Sequence, residues 1–192
     1  TCTGTPSVCS AIEVLCDDGV DNDGDGATDG ADSDCAQPAY FPACGAGQTL
    51  KSFTVSPNLV IPDLDPTGVT SNIVVPAGVG TIQRLAVRYN VLHAYDEDLD
   101  ISLIPPVGAA LDICSDNGTS GDNFVNTILD STCAAPVTGG VAPFTDCFQP
   151  ETSFASFTGQ PAAGTWGLKL ADDDLALAGT LQSWTLILCT TP

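Results

Sequence analysis

The chain has 192 residues and a formal net charge of −20, because 24 Asp and Glu residues stand against only four Lys and Arg residues. Nucleic acid and anionic membrane surfaces both repel such a charge, so we expect neither as a partner. Hydrophobic residues make up 43% of the chain, which is enough for the core of one full domain with a small appendage.

The first motif in the chain is an aspartate-rich loop at residues 21–32. The loop has acids at positions 1, 3, 5, 9 and 12, which are Asp21, Asp23, Asp25, Asp29 and Asp32. Gly26 at position six permits a sharp turn, and Ala27 at position seven offers its backbone carbonyl. Carboxylates at this spacing suit calcium, which takes six to eight oxygen ligands. The alternative is a solvated acidic turn, which explains neither the spacing nor the glycine.

Cys16 and Cys35 flank this loop, and a disulfide between them would stabilise it by roughly 3 kcal/mol in the chain-entropy model. The segment resembles the Cys-flanked aspartate repeats of secreted bacterial proteins and, more distantly, thrombospondin type 3 repeats. Residues 1–46 contain no strand-length apolar alternation. We therefore predict a disulfide-stapled, irregular calcium-loop appendage over 1–46 and a separate domain over 47–192.

From Gln48 onward, short alternating runs are separated by Gly, Pro, Asn and Asp, which is typical of an antiparallel β-sandwich. No segment keeps a helical period, so the predicted fold class is all-β. The side chains expected to face inward are Leu85, Val87, Tyr89, Val91, His93, Ile101, Leu103, Trp166, Leu168, Leu170, Trp184, Leu186 and Leu188.

Further acids fall at the turns between these runs. The predicted metal ligands among them are Asp63, Asp65, Asp96, Asp98, Asp100, Asp130, Asp172 and Asp174. Aspartate is common in turns because it caps them, which accounts for any single one of these residues. Three consecutive acids at 172–174 repel one another unless a cation or hydrogen-bond donors gather them. The set as a whole therefore favours calcium in the loops of the sandwich.

Several short motifs between about residues 50 and 189 recur in the order of a known family. They include Ile61-Pro62-Asp63, His93-Ala94-Tyr95, Asp98-Leu99-Asp100-Ile101, Gly121-Asp122-Asn123-Phe124, Thr127-Ile128-Leu129-Asp130, Gly164-Thr165-Trp166, Gly179-Thr180-Leu181 and Ser183-Trp184. On these residues the chain resembles the P domain, also called the Homo B domain, of proprotein convertases and related bacterial subtilisin-like proteases. The resemblance implies a jelly-roll-like sandwich that lacks catalytic residues, often carries calcium, and supports a subtilisin domain preceding it.

Nine cysteines indicate an oxidising compartment, and a single histidine argues against a zinc site. In the jelly roll that the resemblance implies, the chain ends lie close together, so Cys44 and Cys189 would pair. The other expected bridges are Cys2–Cys9 and one pair among Cys114, Cys133 and Cys147, with Cys133–Cys147 preferred. We expect Trp166 and Trp184 to be core residues rather than a platform for sugars.

These features predict a non-catalytic, calcium-binding accessory module of a secreted subtilisin-like serine endopeptidase or similar exported hydrolase. Its partner would be the catalytic domain of the parent protein, and Thr1 at the start of the chain suggests an excised or mature piece of such a protein. The alternative is a module that binds an extracellular carbohydrate or protein polymer. We expect no catalytic residues, because a Ser or Cys nucleophile needs a base and His93 is the only histidine.

Overall fold

The computed structural model describes residue 26 and residues 44–175 and 178–192. Apart from Gly26, the loop at residues 21–32 lies outside these residues, as do Cys2, Cys9, Cys16 and Cys35. Gly26 has a φ of +102°, a backbone conformation that suits a tight turn. Residues Cys44–Pro192 form one compact unit.

Two β-sheets make up this unit. The strands are β1 (Thr49–Val55), β2 (Leu59–Ile61), β3 (Asp65–Val75), β4 (Thr81–Leu92), β5 (Leu99–Ile104), β6 (Leu111–Ser115), β7 (Phe124–Asp130), β8 (Ala135–Pro136), β9 (Cys147–Gln149), β10 (Gly164–Asp172) and β11 (Gly179–Thr191). One sheet has the order β1-β11-β4-β7-β9-β8, with β2 also paired to β11, and the other has the order β3-β10-β5-β6. Short 3₁₀ turns occupy Asp96–Asp98, Val137–Gly139 and Phe154–Phe157.

The predicted β-sandwich is confirmed, with one departure from a purely antiparallel arrangement. Strand β9 runs parallel to both of its neighbours, β7 and β8, whereas the other strand pairs are antiparallel. Among the residues that the structure describes, no helix is long and apolar enough to span a bilayer.

The core lies between the two sheets and contains the predicted inward faces. On β4, Leu85, Val87, Tyr89 and Val91 are all buried. Both tryptophans are buried core residues, as predicted, and each indole N–H donates to a protein acceptor. Trp184 Nε1 donates to Ser71 Oγ at 2.9 Å, and Trp166 Nε1 donates to the Ala162 carbonyl at 3.0 Å. These bonds satisfy the polar ends of the two largest side chains in the core.

Two of the predicted disulfides are present. Cys44 is bonded to Cys189 on β11, with a Cα–Cα distance of 5.4 Å, and Cys133 is bonded to Cys147, with a distance of 5.7 Å. Cys114 is a free, buried thiol within the described region. Burial raises the pKa of this thiol to about 12.

Candidate metal centre

The ends of three strands bring predicted acidic turns together at one edge of the four-stranded sheet. Asp172 closes β10, and in the register of that sheet it lies between Asp65, at the start of β3, and Leu99, at the start of β5. The backbone N–H of Asp173 donates to the carbonyl of Asp98 at 3.2 Å. We call this region the acidic edge.

At the acidic edge, His93, Asp98 and Asp172 form a compact buried group. One potential ligand atom from each of the three lies within 4.8 Å of the others. His93 Nε2 is 3.0 Å from Asp172 Oδ2, and His93 Nδ1 is 2.6 Å from the carbonyl oxygen of Tyr95. The second carboxylate oxygen of Asp172, Oδ1, is buried and has no hydrogen-bond partner. A buried carboxylate oxygen without a donor is costly, so this atom is available to a ligand.

The electrostatics of the acidic edge favour a cation. Burial raises the pKa of Asp98, and the charge of Asp172 raises it further. His93 offsets only part of this effect, while Asp174 and Glu97 add to it. The oxygens of Asp98 and Asp172 suit a hard cation such as calcium, whereas an imidazole nitrogen does not. His93 therefore orients Asp172 through Nε2, and the carboxylates would hold the ion.

Asp96 lies on the same 3₁₀ turn as Asp98 but takes no part in the group formed by His93, Asp98 and Asp172. Its side chain is fully buried, and neither carboxylate oxygen has a hydrogen-bond partner. Burial raises the pKa of Asp96 to about 7. Two groups offset this rise in pKa in part. They are the backbone amide of Asn123, which itself donates to the His93 carbonyl, and the His93 side chain. The charge of Asp122 raises the pKa further.

Other predicted ligands lie around the acidic edge with different environments. Asp65 is half-buried, and its Oδ1 accepts the N–H of Thr67 at 2.9 Å in an Asx-type turn. Asp174 is exposed, and its Oδ1 accepts the N–H of Leu175 at 2.7 Å. Asp63 is exposed in the segment before β3. The residues Asp21, Asp23, Asp25, Ala27, Asp29 and Asp32 lie outside the described part of the chain.

The structure separates Asp100 from Asp96 and Asp98, although the three alternate in the sequence. Asp100 lies on β5, opposite Ser115 of β6 and Ala171 of β10. There it lines a small polar groove together with Asp112 and Lys169.

Asp130 has protein donors for both of its carboxylate oxygens. Its Oδ2 accepts from Arg84 Nε at 2.8 Å, and its Oδ1 accepts from the N–H and the Oγ1–H of Thr132 at 2.8 and 2.9 Å. The side chain is fully buried on β7. The geometry of Asp130 is thus explained by an ion pair and a local turn.

Two contributors to the acidic edge were missed by sequence reasoning. Strand alternation places His93 on an inward face but does not reveal that it holds Asp172 in place. Asp116 has a left-handed φ of +53°, and burial followed by the charges of Asp100 and Asp173 raises its pKa. The Asp116-Asn117-Gly118 sequence is a recognisable turn signal, but its proximity to Asp173 depends on the pairing of distant strands.

The surroundings of His93 do not suit nucleophilic catalysis. Both ring nitrogens are engaged, Nδ1 by the backbone of Tyr95 and Nε2 by Asp172. A general base must have a nitrogen available to accept the proton of a nucleophile.

The chain is similar to known proteins over part of their length. Leupeptin-inactivating enzyme 1 of Streptomyces exfoliatus is 25% identical over 144 residues, which are 73% of this chain and 27% of that enzyme. The serine protease of Aeromonas sobria matches in structure at 16% identity and a TM-score of 0.47, over 82% of this chain and 29% of the protease chain. Its complex with the chaperone ORF2 matches at 19% identity and a TM-score of 0.49, over 83% and 30%. The chain therefore spans less than a third of the length of these relatives. Residues 82–188, more than half of the chain, match the family model of the proprotein convertase P-domain, and the chain belongs to that family.

Proposed function

We propose that residues 47–192 form a non-catalytic accessory domain that binds calcium at the acidic edge. It would act beside the catalytic domain of a secreted subtilisin-like serine endopeptidase or similar exported hydrolase. Membership of the P-domain family supports the accessory role. The curated relative from Streptomyces is named as an enzyme, and this chain aligns with only 27% of it, which is consistent with a module attached to a larger catalytic protein.

The observation that carries the calcium proposal is the buried, unpartnered Oδ1 of Asp172 beside the carboxylate of Asp98. Calcium accepts carboxylate oxygens in variable geometry, so these two groups can contribute to one site. His93 keeps the Asp172 side chain in place through a contact with Oδ2 of Asp172, which leaves Oδ1 of Asp172 for the ion. The aspartate loop at residues 21–32, in the appendage proposed for 1–46, would bind a further calcium ion.

Calcium at the acidic edge would stabilise the fold by joining strand ends. An ion between Asp98 and Asp172 links the turn before β5 to the end of β10. It also neutralises the repulsion that Asp174 and Glu97 add at this edge. A ligand that binds only the folded state stabilises it by roughly 2.7 kcal/mol at a hundredfold excess over its dissociation constant. This effect is a physical basis for a stabilising role in the parent protein.

Thermal unfolding of the full chain, after removal of metal with a chelator, tests the calcium proposal. We expect calcium to raise the melting temperature of the wild type and Asp98→Asn to lose part of that increase. Glu97→Gln is the matched control, because Glu97 is an exposed acid on the same turn. Equal melting temperatures in calcium and in chelator would contradict the proposal.

The accessory role predicts that the isolated chain has no hydrolytic activity. We expect no turnover of peptide substrates, since His93 is engaged on both ring nitrogens. Polysaccharides belong in the same assay, because paired carboxylates can hydrolyse glycosides. Steady turnover that disappears on mutation of one acid, while the fold survives, would overturn this assignment.

The two disulfides in the described region support an exported protein, since such bonds persist in oxidising compartments. The alternative role, binding of an extracellular polymer, has less support. Carbohydrate platforms require exposed aromatic rings, and among the described aromatic residues only Tyr95 is exposed.

A further inference from the structure

We propose that Asp96 holds a second calcium ion beneath the loop of residues 116–123, in a site separate from the one at Asp98 and Asp172. We call it the Asp96 site. The inference rests on the proposed role of the domain as a calcium-binding module, but it does not require an ion at Asp98 and Asp172.

The central observation is that the Asp96 carboxylate is buried without a hydrogen-bond donor at either oxygen. The residue is 0% exposed, and neither Oδ1 nor Oδ2 has a hydrogen-bond donor. Burying an ionised carboxylate without compensation costs several kcal/mol, so native proteins pair such groups or use them to coordinate metals. By contrast, Asp130 is equally buried and all of its oxygens are satisfied by protein donors. Asp96 is therefore a buried acid without a hydrogen-bond donor at either oxygen, which the Asn123 amide and the His93 side chain compensate only in part.

Two backbone carbonyls of the loop of residues 116–123 accept hydrogen bonds from the turn that carries Asp96. The N–H of Asp96 donates to the Gly121 carbonyl at 2.9 Å, and the N–H of Glu97 donates to the Thr119 carbonyl at 3.4 Å. A carbonyl oxygen has two lone pairs, so each of these groups keeps one for another ligand. Gly118 lies directly against Asp96, because a Cβ at position 118 would come within 2.8 Å of the Asp96 Cβ. Backbone carbonyls with a carboxylate form a ligand set that calcium prefers.

The charge distribution also favours a cation here. Asp122 belongs to the same loop, is exposed, and has a carboxylate close enough to act electrostatically on Asp96. The Asp96 site is distinct from the neighbouring one, because Asp98 groups with His93 and Asp172 whereas Asp96 does not. Two acids on one 3₁₀ turn thus serve different sites, and an ion at Asp96 would tie that turn to the loop of residues 116–123.

Calorimetric titration with calcium chloride, on the chelator-stripped full chain, tests the inference through the variant Asp96→Asn. The amide has nearly the shape of the carboxylate but lacks its charge. We expect Asp96→Asn to bind one calcium ion fewer than the wild type. In chelator it should melt at or above the wild-type temperature, because the substitution removes a buried charge that is compensated only in part and breaks no hydrogen bond at the carboxylate oxygens. In calcium it should melt below the wild type.

Two further variants make the outcomes separable. Glu97→Gln should keep the wild-type number of ions, and Asp98→Asn should lose the other ion. If Asp96→Asn keeps all ions while Asp98→Asn loses one, the Asp96 site is overturned and the proposed function stands. If Asp98→Asn keeps all ions while Asp96→Asn loses one, the proposed ion at Asp98 and Asp172 is overturned and the Asp96 site stands.

The melting temperatures distinguish a bound cation at Asp96 from a purely structural carboxyl and from a protonated one. An equal decrease of the Asp96→Asn melting temperature in calcium and in chelator would assign Asp96 a structural role and overturn the inference. Identical behaviour of the variant and the wild type in both conditions would mean that a proton neutralises the carboxyl, and it would equally overturn the inference. Magnesium chloride should replace calcium poorly, because Mg²⁺ requires near-octahedral geometry and retains its water.

Discussion

Replacing Asp130 with Asn should lower the free energy of unfolding by about 3 kcal/mol. The Asp130 side chain is fully buried and accepts from Arg84 Nε at 2.8 Å and from Thr132 at 2.8 and 2.9 Å. In the variant, the amide oxygen can keep Thr132, but the NH₂ group then faces the donor of Arg84. Breaking a buried ion pair costs about 3–5 kcal/mol. We expect the lower end because the Arg84 side chain is 25% exposed and water can solvate the guanidinium.

Urea unfolding followed by tryptophan fluorescence measures this loss, since Trp166 and Trp184 are both buried in the core. For a unit of this size, about 3 kcal/mol corresponds to a decrease of roughly 6–12 °C in melting temperature. The control is Asp146→Asn. Asp146 is exposed and its Oδ1 accepts the N–H of Cys147 at 2.7 Å, a hydrogen bond that the amide oxygen of Asn can also accept. It should change stability by less than about 0.5 kcal/mol.

The dependence of this loss on calcium decides between two roles for Asp130. Protein donors satisfy both of its oxygens, so we expect the same loss in calcium and in chelator. A loss that occurs only in calcium would identify Asp130 as a metal ligand and refute this reasoning. A loss below about 1 kcal/mol in both conditions would refute the claim that the ion pair is buried and strong.

Three other predictions follow from the same structure. The Cys114 thiol, whose pKa burial raises to about 12, should react with thiol reagents at pH 8 only in urea, and rapid labelling of the native chain would contradict this. In chelator, stability should fall as pH rises from 5 to 8. Burial raises the pKa of Asp96 to about 7 in the folded state. The stability that protonated Asp96 contributes is therefore complete below the unfolded-state pKa of about 4 and is lost as pH rises through 7. Burial also raises the pKa values of Asp98, Asp112 and Asp116, so these groups act in the same direction. A metal-free protein whose melting temperature rises from pH 5 to 8 would refute this prediction. Asp23→Asn should remove calcium binding by the loop at residues 21–32 and leave the near-ultraviolet circular dichroism of the sandwich unchanged.

The sequence was sufficient to predict the sandwich because strand alternation is a local signal. Leu85, Val87, Tyr89 and Val91 on β4 alternate along the chain and are all buried. Trp184, Leu186 and Leu188 on β11 alternate in the same way, although the residues between them are buried as well. The parallel pairing of β9 was not predictable in this way. Strand β9 has only three residues, Cys147–Gln149, which is too short for a periodic pattern.

The arrangement of the acids was less predictable, because it depends on contacts between distant segments. Asp96 and Asp98 are two positions apart on a 3₁₀ turn, which has about three residues per turn, so their side chains diverge. The pairing of β5 with β10 then brings Asp98 close to Asp172. The pairing of β4 with β7 brings Arg84 to Asp130. Spacing in the sequence identified the acids but carried no information about these partners.

Anomalous diffraction from crystals of the full chain grown in calcium tests the central claim most directly. We predict one anomalous peak at about 2.3–2.6 Å from carboxylate oxygens of Asp98 and Asp172, and a second at the same distance from a carboxylate oxygen of Asp96. Terbium, which replaces calcium and scatters more strongly, should occupy the same positions. A folded chain in millimolar calcium with no anomalous peak at either position would contradict the account.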